Sequence, residues 1–251
     1  MIKTGFKNID EIFDISKSRL IFLTGDYMHF IETLSGDIAN NISIKQDKDA
    51  LEIVDMNKEY LIKRIVVNNA NVNYNKWTLK NEYEDKKYSD DELKQISLAT
   101  MNLIETTQKL PIIIERKLTG YSLKRIKRFI LNYANTYADR EEAADTLVVI
   151  DITNFNYDER LRFKGESNFF RQKNKEKFIK QIKKISEKLK CPIMVLFSKN
   201  SIFNKTQKYA DVIMALNRKD DELFVLEIDE GYQIKKCELK YNYECRKFES
   251  I

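Results

Sequence analysis

With 251 residues, the chain has the length of one large α/β domain, and no linker-like stretch divides it. Its 43% hydrophobic and 11% aromatic residues suffice for a sizeable core, and its 33% charged residues describe a soluble, well-solvated exterior. The balance of 44 basic and 39 acidic residues leaves a net charge of +5, which permits contact with nucleic acid without demanding it. Apolar runs such as 147–150 and 193–197 fall far short of the roughly 20 residues of a membrane helix. The first ten residues carry charges and no long apolar stretch, so neither a span nor a secretory signal is expected, and the expected compartment is the cytosol. Cys191, Cys237 and Cys245 form no C-x-x-C pair, and His29 is the only histidine. Histidine-based triads and multi-histidine metal sites are thereby excluded, and no metal site is expected.

In chain order, the run from Arg19 to Thr24 reads as a buried strand ending at Gly25, followed by a helix over Ile31 to Ile42. A second strand is expected at Leu51 to Val54, and a helix from Met56 to Asn68 with Tyr60, Leu61 and Ile65 at near-helical spacing. The polar stretch at about 71–110 reads as a helical insertion, with Asp90 or Asp91 as the candidate cap of a helix carrying Leu93, Ile96 and Met101. Trp77 and Tyr74 within it are expected to pack against the core. A strand at Pro111 to Ile114 precedes a helix capped by Ser122. Thr146 to Ile150 is β-branched and apolar on both faces, as in the middle of a parallel sheet, and Asp151 closes it.

The next helix carries Phe178, Ile182, Ile185 and Leu189 on one stripe and a row of lysines from Lys173 to Lys188 beside it. After a buried strand starting at Pro192, four closely spaced strands follow, at 212–216, 223–228, 234–239 and 243–248. Alternating strands and helices that end in clustered strands indicate an α/β fold: a mostly parallel central sheet flanked by helices, with a C-terminal antiparallel extension.

The collinear order of several local motifs resembles the C-terminal RecA-like ATPase domain of DnaB-family replicative helicases over nearly the whole chain. Thr4 to Phe13 (TGFKNIDEIF) is similar to the family's T-G-F-x-x-L-D entry segment, and PIIIE at 111–115 to its P-I-x-I-D segment. TLVVIDITNF at 146–155 is similar to its Walker B strand, with Asp151 as the Walker B aspartate. KISEKLKCPIMVLFSKN, YADVIMALNRKD and the closing KFES match later stretches of the domain. The resemblance implies a RecA-like P-loop NTPase fold over 1–251. Relative to the family's layout, the chain starts at the T-G-F segment, without the N-terminal domain and linker helix, so a self-assembled hexameric ring is not expected.

Where an active P-loop has G-x-x-x-x-G-K-[ST], this chain reads G-D-Y-M-H-F-I-E from Gly25 to Glu32. In the motif, backbone N–H groups surround the phosphates, lysine neutralises them and the hydroxyl holds magnesium. Here Phe30 replaces the second glycine, Ile31 the lysine and Glu32 the hydroxyl residue, and no Gly-Lys-Ser/Thr triplet occurs anywhere. The resemblance places the catalytic glutamate at Asp55 and the γ-phosphate sensor near Ser198. It places the K-x-R finger around Glu227 to Glu230, which reads E-I-D-E.

What remains of the chemistry is vestigial: Asp55 and Asp151. The basic segment with Arg160, Arg162, Lys164, Arg171 and Lys173 is the candidate contact for DNA. These departures lead to the expectation of a noncatalytic protein of DNA replication, without cofactor, binding a replication protein such as a true replicative helicase, or DNA. Two alternatives stay open: an ATP-dependent helicase with a divergent nucleotide site, using ATP and magnesium, and a simple DNA-binding module.

Overall fold

Strand β1 (Leu20–Gly25) is buried along its whole length, and its successive side chains point to opposite sides of the sheet. Ile21 and Leu23 enter one hydrophobic cluster, Leu20 and Phe22 the other. Strands β4 (Leu147–Asp151) and β5 (Ile193–Ser198) divide in the same way. Leu147, Val149, Met194 and Leu196 join the first cluster, and Val148, Ile150, Ile193 and Val195 the second. Both faces of this part of the sheet are covered, which is why its strands read as unbroken apolar runs.

The computed structural model describes residues 2–46, 48, 50–54, 58–78, 88–106, 112–114, 128, 130–131, 146–152, 168–198 and 205–251. At 53–54, 58–59, 77–78, 106, 112–114, 168–175 and 198 that description is of the backbone. The remaining strands are β2 (Ala50–Val54), β3 (Ile112–Ile114), β6 (Val212–Arg218), β7 (Leu223–Asp229), β8 (Ile234–Asn242) and β9 (Lys247–Ser250). Among the described residues, nine strands form one sheet in the order β3-β2-β4-β5-β1-β6-β7-β8-β9. Pairing is parallel from β3 across to β6 and antiparallel from β6 to β9, the expected extension.

The helices are α1 (Lys7–Asp10), α2 (Met28–Asn40), α3 (Lys58–Ala70), α4 (Tyr74–Thr78), α5 (Asp90–Thr106) and α6 (Asn168–Leu189). In the entry segment the Asp10 carboxylate accepts bonds from the Thr4 N–H, the Thr4 hydroxyl and the Gly5 N–H, at 2.7, 2.8 and 3.1 Å. Helix α6 buries Phe178, Ile182 and Ile185 in the second cluster, along the expected stripe. Tyr74 is buried, with the cations of Lys63 and Arg246 at 4.3 and 4.0 Å from its ring centre. The side chain of Trp77 lies outside the described residues. Of the helix expected after Ser122, residues 128, 130 and 131 are described, all helical, and Ile130 is buried in the second cluster. No described helix is long and apolar enough to cross a membrane.

Three boundaries differ from the sequence reading. Helix α2 starts at Met28 rather than Ile31 and continues through a π-helical turn to Lys45. The cap of α5 is Ser89, not Asp90 or Asp91: the Ser89 hydroxyl accepts from the Glu92 N–H at 3.2 Å, and the Glu92 carboxylate accepts from the Ser89 N–H at 2.7 Å. Reciprocal bonding of this kind satisfies two N–H groups at once, which a lone aspartate does not. The last strand starts at Lys247, because 243–246 forms a turn in which Arg246 has φ +51° and the Asn242 side chain accepts from the Cys245 N–H at 3.0 Å.

Candidate functional site

In an open α/β sheet, ligands bind beyond the carboxyl ends of the parallel strands. Here Gly25 ends β1 between Ser198 of β5 and Leu216 of β6, and Asp151 ends β4 opposite Leu196 of β5. Asp151 is buried, and strand alternation puts it on the same side as Leu147 and Val149, the side on which α2 packs.

Only Asp26 and Tyr27 separate β1 from α2. The N–H groups of Phe30 and Ile31 already donate to the Tyr27 carbonyl, at 3.2 and 3.4 Å. Residues that would form an open loop around phosphates therefore form the first helical turn. At Gly25 a Cβ would collide with the Leu216 carbonyl of β6, so this glycine permits the close approach of two backbones.

Phe30, 4% exposed, packs among rings of the antiparallel extension: Phe224 at 4.5 Å, Tyr241 at 4.8 Å and Phe248 at 6.3 Å between centroids. Ile31 is fully buried in the first cluster. Glu32 is half-buried, and its carbonyl accepts from Arg64 Nη1 at 3.2 Å. His29 sits in the helical turn, not in a loop, its ring 3.9 Å from that of Phe30. Partial burial, then the charges of Arg246 and Arg218, lower its pKa and favour the neutral imidazole.

Beneath this turn lies a charged cluster that sequence reasoning missed. Asp37 of α2, Glu52 of β2 and Arg64 of α3 are all buried. Asp37 accepts from the Asn68 side chain at 3.0 Å and from the Phe248 N–H at 2.9 Å, which ties α2 to β9. A Cβ on Gly36 would collide with the Arg64 guanidinium, so the small residue makes room for it. Burial raises the Asp37 pKa to about 6 against the opposing pull of Arg64, the Phe248 N–H, Lys247 and Asn68. Burial also raises Glu52 to about 7, with Arg64 lowering it and Asp37 adding to the rise. The available signal was a glutamate inside an otherwise apolar strand, Ala50–Val54.

Folded Glu52 holds its proton more tightly than the unfolded chain does. Its ionisation therefore removes stability as pH rises from the unfolded value near 4.5 to the folded value of about 7, and the loss is complete above that. Glu52→Gln is expected to flatten the fall in stability between pH 5 and 8 and to gain on the order of 1–3 kcal/mol at pH 8. Urea denaturation at both pH values measures this, and an unchanged slope would contradict the assignment.

Other anticipated residues are only partly visible. Asp55, Arg160, Arg162 and Lys164 lie outside the described residues; Arg171 and Lys173 are on the backbone of α6, with side chains outside the description. Lys180 of the lysine row pairs with Glu176 at 3.5 Å. In the finger region, Glu227 pairs with Lys236 and Glu230 with Lys235, at 2.5 and 2.6 Å. These acidic positions are thus neutralised by β8 across the hairpin, a pairing that spacing within β7 alone does not reveal. Among the described residues, no group of three His, Cys, Asp or Glu side chains converges as a metal site would.

The parallel core with its antiparallel extension defines a RecA-like ATPase fold. Solved structures with this fold include the ATPase domain of a DnaB-like helicase, with a TM-score of 0.77 and 15% identity, covering 100% of this chain and 91% of that one. A structure described as a DnaB-like replicative helicase and its interactions with primase gives 0.76 and 16%, covering 100% of this chain and 63% of that one. The KaiC-like protein PH0186 from Pyrococcus horikoshii gives 0.64 and 11%, covering 100% and 98%. No protein-family model and no curated protein matches the chain. The fold is thus the one seen in DnaB-type ATPase domains, as the motif order implied.

Proposed function

We propose that this chain is a DnaB-helicase-like replication protein that acts by binding a partner and does not hydrolyse ATP. The observation that carries this reading is the turn at 25–32: helix from Met28, Phe30 docked in an aromatic cluster, and Ile31 buried. A phosphate needs inward-facing N–H groups and a nearby cation. This turn offers helix-bonded N–H groups, two large apolar side chains, and Asp26 and Glu32 in place of positive charge. The acidic pairs Glu227–Lys236 and Glu230–Lys235 support the same reading, because a finger acting on a neighbour's nucleotide needs an uncommitted cation.

The partner that fits a helicase-like scaffold without its motor is a protein of the replication machinery, a replicative helicase first among them. Calorimetric titration with ATP and magnesium is expected to give no saturable heat. Micromolar binding that disappears in Asp151→Ala would overturn the reading in favour of an active helicase with a divergent site. Added to a working DnaB-type helicase, the chain is expected to bind and change its unwinding rate. An unchanged rate at saturating chain would sink the partner half of the proposal.

A further inference from the structure

Helix α5 buries only one of its faces. Ala99 and Leu103 pack into the first cluster, while Leu93, Leu98, Met101 and Ile104 on the opposite side are 48%, 61%, 59% and 66% exposed. A helix that is apolar on both sides is ordinarily covered on both, and large apolar side chains gathered on one exposed face mark an interaction site. The sequence of that face is self-complementary. Lys94, Leu98, Met101 and Glu105 follow spacings of 4, 3 and 4, which set them on one ridge.

We infer that α5 pairs with α5 of a second copy, antiparallel about a two-fold axis between Ala99 and Thr100. In that arrangement Leu98 meets Met101 of the partner subunit twice. Lys94 meets Glu105 of the partner subunit at both ends. Leu93 and Ile104, on the same flank of the ridge, meet across the axis. Parallel pairing would instead set Lys94 against Lys94 and Glu105 against Glu105, so the charges select the antiparallel form. The helix of 17 residues offers about 25 Å of contact. Lys94 has only an exposed, 3.5 Å contact with Asp91, which does not hold it away from a second copy. The interface buries no charge at its centre and needs no movement of the fold.

Sedimentation velocity from 1 to 100 μM is the test, and a monomer–dimer equilibrium in the micromolar range is expected. Leu98→Glu and Met101→Glu, both on exposed positions, are each expected to raise the dissociation constant at least tenfold without altering the circular dichroism. Lys94→Glu or Glu105→Lys alone is expected to weaken the dimer. Combining the two is expected to restore it, and an equimolar mixture of the single variants is expected to form the mixed dimer. A chain that stays monomeric throughout overturns the inference and leaves the face to a different protein. A dimer indifferent to Leu98→Glu, or not restored by the double charge swap, overturns it as well.

Discussion

Ile31→Lys is expected to unfold the protein at neutral pH, although on paper it restores the phosphate-loop lysine. Ile31 is fully buried in the first cluster, and the helix holding it starts three residues ahead of it, so its side chain points into the core and not toward a ligand. An ammonium placed there costs several kcal/mol even after relaxation. That is a large part of the roughly 5–15 kcal/mol that stabilises a domain. The full reversion, Phe30→Gly with Ile31→Lys and Glu32→Ser, is expected to fare worse, since it also empties the aromatic cluster against Phe224, Tyr241 and Phe248. Phe30→Ala alone is expected to cost about 3–5 kcal/mol. Thermal and urea denaturation measure both. A reverted chain that keeps the parent's midpoint and gains ATP affinity would show that the turn opens readily into a phosphate loop.

Arg64→Met carries the second large effect, an expected loss of about 3–5 kcal/mol, because it leaves two buried carboxylates without their cation. Its pH dependence separates this cause from simple mispacking. Arg64 lowers the pKa of both Asp37 and Glu52. Without it both rise further, so the variant's deficit is expected to be small near pH 5, where the carboxyls are protonated, and to grow toward pH 8. Adding Asp37→Asn and Glu52→Gln to Arg64→Met is expected to recover most of the loss at pH 8. A deficit equal at both pH values, or no recovery in the triple variant, would assign the role of Arg64 to packing alone. The cluster matters beyond stability because Asp37 also accepts from the Phe248 N–H, joining the helix of the altered turn to the last strand.

Much of the scaffold was legible in the chain itself, and the reason is geometric. Strands covered on both faces must be apolar at every position, so β1, β4 and β5 stand out as runs, and α6 declares its buried stripe through Phe178, Ile182 and Ile185. The absence of a Gly-Lys-Ser/Thr triplet is equally a property of sequence.

Boundaries set by side-chain bonding were harder. Ser89 rather than Asp90 caps α5 because Glu92 returns a bond to it, and α2 begins at Met28 because Phe30 has a place to dock. That place is built by Phe224, Tyr241 and Phe248, about 200 residues away along the chain.

The amino-acid sequence by itself determined which chemical groups are missing at 25–32 and which stretches had to be buried, since composition and period are local. Tertiary structure alone decided what replaced the missing loop. Whether a phenylalanine at that position leaves a gap or closes a helix depends on partners brought by the antiparallel strands. Whether a buried arginine is a fault or a counterion likewise depends on two carboxylates supplied by other elements.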